Sequence, residues 1–119
     1  MTNNRSDVAM YELKEDDWQY FRKNVPIWQE RFMTSLIGEY TRMLMGKGKG
    51  SEKFWNLKKR IEEDVKRKGV VIEMRRSRMV NDVIVLFEEG TITKNDMCGF
   101  SEELKRTVES MMELNRNMQ

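Results

Sequence analysis

Trp28, Phe32, Leu36, Tyr40 and Met43 recur at steps of four, four, four and three residues. That spacing stacks side chains on one face of an α-helix and on no face of a β-strand. Met33, Ile37 and Leu44 widen the stripe, so the spacing predicts a helix over residues 26–45 with one side buried. Val25-Pro26 marks its start, because the residue before a proline avoids the helical region and proline suits a first helical position. Gly46-Lys47-Gly48-Lys49-Gly50 marks its end: three glycines in five residues predict a flexible basic loop.

Other segments show the same period. Trp18 and Phe21, one turn apart, predict a short helix over 14–23 behind a flexible lead at 1–13. Ser51 is a suitable N-cap for a helix over 52–67, with Phe54, Leu57, Ile61 and Val65 as its inner face and Trp55 and Lys58 beside it. Val70-Val71-Ile72 is β-branched, but no second convincing strand exists to pair with it, so it reads as an apolar linker. A helix over 74–89 carries Met79, Val80, Val83, Ile84 and Phe87 and stops at Gly90. Thr93 and Asp96 have capping-box spacing, and Ser101 caps a last helix over 102–117 whose stripe is Leu104, Val108, Met111 and Met112. The expected architecture is all-α: a compact four- to five-helix bundle with short loops, forming a single domain over 14–119.

Composition narrows the chemistry. Histidine is absent from the 119 residues, which removes the usual general base and the commonest zinc ligand. Cys98 is the only cysteine, so no disulfide within the chain can form and no imidazole activates its thiol. No run of about 18 apolar residues occurs, and residues 1–7 lack the basic-then-apolar order of a signal peptide. The expectation is a cytoplasmic protein without membrane contact, cofactor or metal. The 11 methionines fall mostly on apolar helix faces, where core filling explains them, although a Met-rich surface also suits partner binding.

Several motifs resemble chemical signatures and fail on spacing. Gly46–Ser51 places Gly50, not lysine, before the hydroxyl residue and follows a helix, so it is no phosphate loop. Aligning Gly90 with the turn glycine of a calcium loop puts Val85 and Phe87 where the first carboxylate ligands belong. The acidic pairs Asp16/Asp17, Glu62/Glu63, Glu88/Glu89 and Glu102/Glu103 are adjacent, hence about 100° apart on a helix, and read as solvated faces. Residues 94–100 are too short and glycine-broken for the recognition element of a helix-turn-helix. None of these patterns points to an enzyme.

Charge is the better signal. Residues 46–78 hold twelve Lys/Arg and five Asp/Glu, net +7, whereas the rest of the chain is net −5, giving +2 overall. Lys47, Lys49, Lys58, Lys59, Arg60, Lys66, Arg67, Lys68, Arg75, Arg76 and Arg78, with Trp55 among them, form the candidate contact surface. Such a face attracts nucleic acid or an acidic protein surface, or is a solvated face balanced by the acidic ends of the fold.

Glu30-Arg31-Phe32, Tyr40, Ser51-Glu52-Lys53-Phe54-Trp55 with Leu57, Arg60-Ile61, Asp64, Lys68-Gly69-Val70, Gly90 with Ile92-Thr93, and Phe100-Ser101 with Glu103-Leu104-Lys105 carry a resemblance. Over about residues 28–108 the chain resembles small uncharacterised helical accessory proteins of Gram-positive mobile elements. The resemblance implies a cargo role, in which small proteins often inhibit host defence machinery, anti-CRISPR proteins among them.

The leading expectation is therefore a non-enzymatic protein-binding accessory module, a mobile-element inhibitor of a host defence or nucleic-acid-processing complex. Its partner would be a protein, including one loaded with nucleic acid. The first alternative is a DNA- or RNA-binding regulator. The second is a structural homo-oligomer joined through an excess apolar stripe on the second or last helix.

Overall fold

The computed structural model describes residues 11–117. The expected lead up to residue 10 lies outside them. Four α-helices follow in order: α1, Glu15–Met45; α2, Gly50–Asp64; α3, Met79–Glu88; and α4, Glu102–Asn117. Single 3-10 segments at Arg76–Arg78 and Lys94–Gly99 precede α3 and α4. Among the described residues there is no strand, and Val70–Ile72 is a linker. The protein is an all-α helical bundle; its loops are short except for the connection from α2 to α3, where residues 65–75 carry no helix before the 3-10 turn.

The expected break at Val25-Pro26 does not occur. Pro26 lies inside the 31-residue α1. Trp18, Phe21, Val25, Trp28, Phe32 and Leu36 are all buried, at steps of three, four, three, four and four, so one stripe runs through the proline without changing phase. Pro26 itself faces solvent. The hydrogen bond it forfeits, to the carbonyl of exposed Arg22, is one that water replaces. Burial of Val25 and Trp28 on either side outweighs the proline cost of about 3 kcal/mol.

The core gathers around the N-terminal half of α1. Trp18, Phe21, Val25 and Trp28 pack with Met79, Val83, Ile84 and Leu86 of α3, with Ile92, Met97 and Phe100 of the connection, and with Leu104 and Val108 of α4. Gly90 ends α3 as expected, in the left-handed region at φ 82°. The Thr93 capping box forms, with the Thr93 N–H donating to Asp96 Oδ2 at 2.7 Å. Helix α3 starts at Met79 instead of Met74, because Met74–Arg78 is extended and then 3-10. Helix α2 begins at Gly50, one residue before its expected cap.

The C-terminal half of α1 leaves this core and pairs with α2. Arg60 reaches Glu39, Tyr40 reaches Asp64, the Arg67 guanidinium lies over the Phe32 ring and Gln29 bonds the Lys68 carbonyl. As α1 numbers fall, α2 numbers rise, so the two helices form an antiparallel hairpin that projects as an arm. The described structure is correspondingly elongated, 62 × 33 × 23 Å.

Candidate binding surface

The arm is built on Asp64, the one buried residue of α2. Its carboxylate accepts from Tyr40 Oη at 2.5 Å, Arg60 Nε at 2.9 Å and Arg67 Nη1 at 3.2 Å. Burial works against its ionisation, but the hydrogen bonds from Tyr40, Arg67 and Arg60 outweigh it and hold the carboxyl below its usual range. Tyr40 is pushed up to about 12, first by burial and then by its hydrogen bond to the Asp64 carboxylate.

This network overturns the expected inner face of α2. Arg60 and Asp64, one turn apart, face α1, while Phe54, Ile61 and Val65 remain exposed. A helix facing an apolar core would not bury this pair unaided. Here Tyr40 and Glu39 on α1 supply the partners that make it tolerable.

Much of the expected basic face is consequently spent on folding. Arg60 also bonds Glu39 at 2.8 Å. Arg67 donates to the Glu89 carbonyl at 3.1 Å and stacks 4.9 Å from the Phe32 ring centroid. Lys68 donates its backbone N–H to Glu89 Oε1 at 3.0 Å, and its ammonium lies 3.1 Å from Asp82 Oδ1. That last contact is off the line of a hydrogen bond, so it compensates the charge of the fully buried carboxylate while giving its lone pairs no directed donor. Arg75 pairs with Glu73, and Arg76 pairs with Glu15 at 2.9 Å and stacks 5.2 Å from the Trp18 ring centroid. Lys58 pairs with Glu62 one turn on.

Distance divides what is left. Arg76 sits at the first turn of α1 and Lys47 just past its last, about 45 Å away along a 31-residue helix. Arg76 therefore shares no contact surface with Lys47 and Lys49 at the tip of the arm. Among the described residues Lys47, Lys49, Lys59, Lys66 and Arg78 enter no ion pair.

The arm group is coherent. Trp55, Lys59, Glu62 and Lys66 recur at steps of four, three and four, a single stripe opposite Asp64 and so on the outer face of α2. Trp55 is 60% exposed and meets Phe54 edge to face at 5.0 Å. Lys47 and Lys49 lie in the loop at the same end, where Lys53, missed in the sequence, approaches Gly48. The other missed residues are Ile37, Leu44, Phe54, Ile61 and Val65, exposed here although their spacing reads as core.

The rest of the surface offers little reactive chemistry. Cys98 is exposed, with Sγ 3.8 Å from Asn95 Oδ1. Among the described residues no group of three potential metal ligands converges, and no helix is long and apolar enough to cross a membrane. Met79 and Met97 are core residues, and Met97 with Met112 also lines an open groove of about 440 Å³ between α4, the end of α3 and the connection that follows it. No protein-family model matches the chain, and comparison with curated proteins and with solved structures finds no similar protein.

Proposed function

We propose that this chain is a non-enzymatic, cytoplasmic binding module whose contact is the outer face of α2, docking on an acidic protein surface. The observation that carries the reading is Trp55, 60% exposed on a braced helix beside Lys59 and Lys66, which enter no ion pair among the described residues. Large aromatics at the centre of a contact supply most of its energy, and surrounding charge speeds and orients the encounter. The Asp64 network holds the helix rigid before binding, which lowers the ordering cost. The resemblance to mobile-element accessory proteins supports a partner within a host defence or nucleic-acid-processing complex, and an inhibitory role of the anti-CRISPR kind.

The test is affinity capture from the cells that carry the gene, using the wild-type chain and a Trp55→Ala/Lys59→Glu/Lys66→Glu chain as bait. Partner loss with the variant, at unchanged helicity, is the expected result. Equal capture by both overturns the reading. Lys47→Glu/Lys49→Glu should weaken capture by a smaller factor. Arg60 and Arg76 do not belong in such a test, since Arg60 bonds Glu39 and Asp64 within the arm and Arg76 lies over the Trp18 ring, so their loss would mix contact with packing.

Direct DNA or RNA binding by the same face is the second reading, favoured because an exposed tryptophan among lysines also suits stacking on single-stranded bases. It predicts an affinity that falls steeply with added salt, in a gel-shift titration with no protein partner present.

A further inference from the structure

One flank of the arm is apolar and the opposite flank is not. Asp64 and Arg60 point at α1, and Tyr40 and Glu39 point back, which fixes the rotation of both helices. At 100° per residue in an antiparallel pair, Ile37 and Leu44 of α1 then fall on the same side as Phe54, Ile61 and Val65 of α2. The other side carries Ser35, Glu52, Asn56 and Glu63. Ile37 is 60% and Phe54 62% exposed, and Leu44, Ile61 and Val65 are each at least 40% exposed. Solvated faces are not built from five such side chains in register.

We infer that this flank pairs with the same flank of a second copy, making a four-helix unit from two hairpins. Three observations favour a second copy over another occupant. The first is spacing: Ile37 and Leu44 are seven residues apart, as are Phe54 and Ile61, the repeat at which helices pack in left-handed bundles. The second is area. The five side chains expose about 500 Å² per copy, so their full burial in a pair removes about 1,000 Å² from water, the least that a specific interface must clear and the size of a weak dimer. The third is self-complementarity. A twofold axis crossing α2 near Arg60, at the middle of the flank, sets Phe54 of one copy against Val65 of the other. The same axis brings Lys58 at the rim beside the partner copy's Glu62. In a twofold contact each residue pair occurs twice, and these pairs are large with small and positive with negative. Trp55 and Lys66 stay on the outer face, so this pairing stands apart from the partner binding proposed above.

The test is light scattering on the purified chain alone, which needs no partner and so fails or succeeds separately from the capture experiment. The expected mass is twice 14.3 kDa. Ile61→Glu should return it to the monomer mass with helicity unchanged, and Phe54→Lys, at a more exposed site, should do the same if Ile61→Glu fails to fold. A wild-type monomer at every concentration up to about 100 μM overturns the inference, as does a dimer that survives a folded flank variant. The register has its own check. Chains with Lys58→Glu and chains with Glu62→Lys should each dimerise at least tenfold more weakly than wild type, and mixing them should restore a mixed dimer. Two variants that pair no better together than alone rule the proposed register out.

Discussion

Asp17 Oδ1 accepts the Ser101 backbone N–H at 2.7 Å while its Oδ2 accepts Ser101 Oγ at 2.6 Å, tying the first turn of α1 to the N-cap of α4 across 84 residues. Ser101 Oγ in turn accepts the Leu104 N–H at 3.2 Å, and Tyr11 Oη donates to Asp17 at 2.8 Å. One buried carboxylate thus anchors both ends of the core. Burial, followed by its hydrogen bond to that carboxylate, pushes the Tyr11 phenol well above its ordinary value.

Asp17→Ala leaves a half-buried N–H and two hydroxyls without their acceptor, so it should cost about 3 kcal/mol in urea unfolding. Ser101→Ala keeps the N–H bond and loses a cap, at about 1 kcal/mol. Equal costs for the two would show that the carboxylate is not the anchor.

Lys68→Met should cost about 3–5 kcal/mol, because it leaves the fully buried Asp82 carboxylate without its counter-charge. Adding Asp82→Leu in the same chain should recover most of that loss. The double-mutant cycle, read by thermal unfolding, separates this coupling from a packing defect, which a second substitution would deepen.

The Tyr40–Asp64 pair makes the arm sensitive to pH at both extremes. Tyr40 is raised from about 10 to about 12, so its contribution is complete below pH 10 and lost as pH climbs through about 12. Asp64 is lowered, so its contribution is present above the ordinary carboxylate range and lost as pH falls through its depressed value. Tyrosinate absorbance should show a step near 12 that Tyr40→Phe removes, and that substitution should cost about 1 kcal/mol at neutral pH.

Glycine substitutions should have opposite signs at two positions. A Cβ on Gly99 would sit 2.0 Å from the Tyr20 ring, so Gly99→Ala displaces the ring, strains its 2.7 Å bond to the Asp96 carbonyl and costs about 2–3 kcal/mol. Gly50 opens α2 with no atom within 4 Å of a built Cβ, so Gly50→Ala should stabilise by about 0.5–1 kcal/mol. Calorimetry of both variants decides the point.

How much was legible in the sequence depends on where the deciding forces act. The 3.6-residue period, the glycine stops and the Thr93 and Ser101 caps act within a few residues, so the all-α class and most helix ends follow from the chain alone. Pro26 misled because its penalty is local, whereas the buried stripe that overrides it is not. The basic face was readable as charge but not as surface. Arg60, Arg67, Lys68 and Arg76 find their acids at Glu39, Asp64, Asp82 and Glu15 through pairings that, apart from those with Asp64, span more than a dozen residues. The same holds for Phe54, Ile61 and Val65. Their period reads as core, and only the Asp64–Tyr40 contact rotates α2 so that they face outward. Sequence by itself set the elements and their amphipathic spacing. Tertiary pairing decided which side of each helix is inside, because burying Asp64 among Tyr40, Arg60 and Arg67 satisfies charges that no local rule could place.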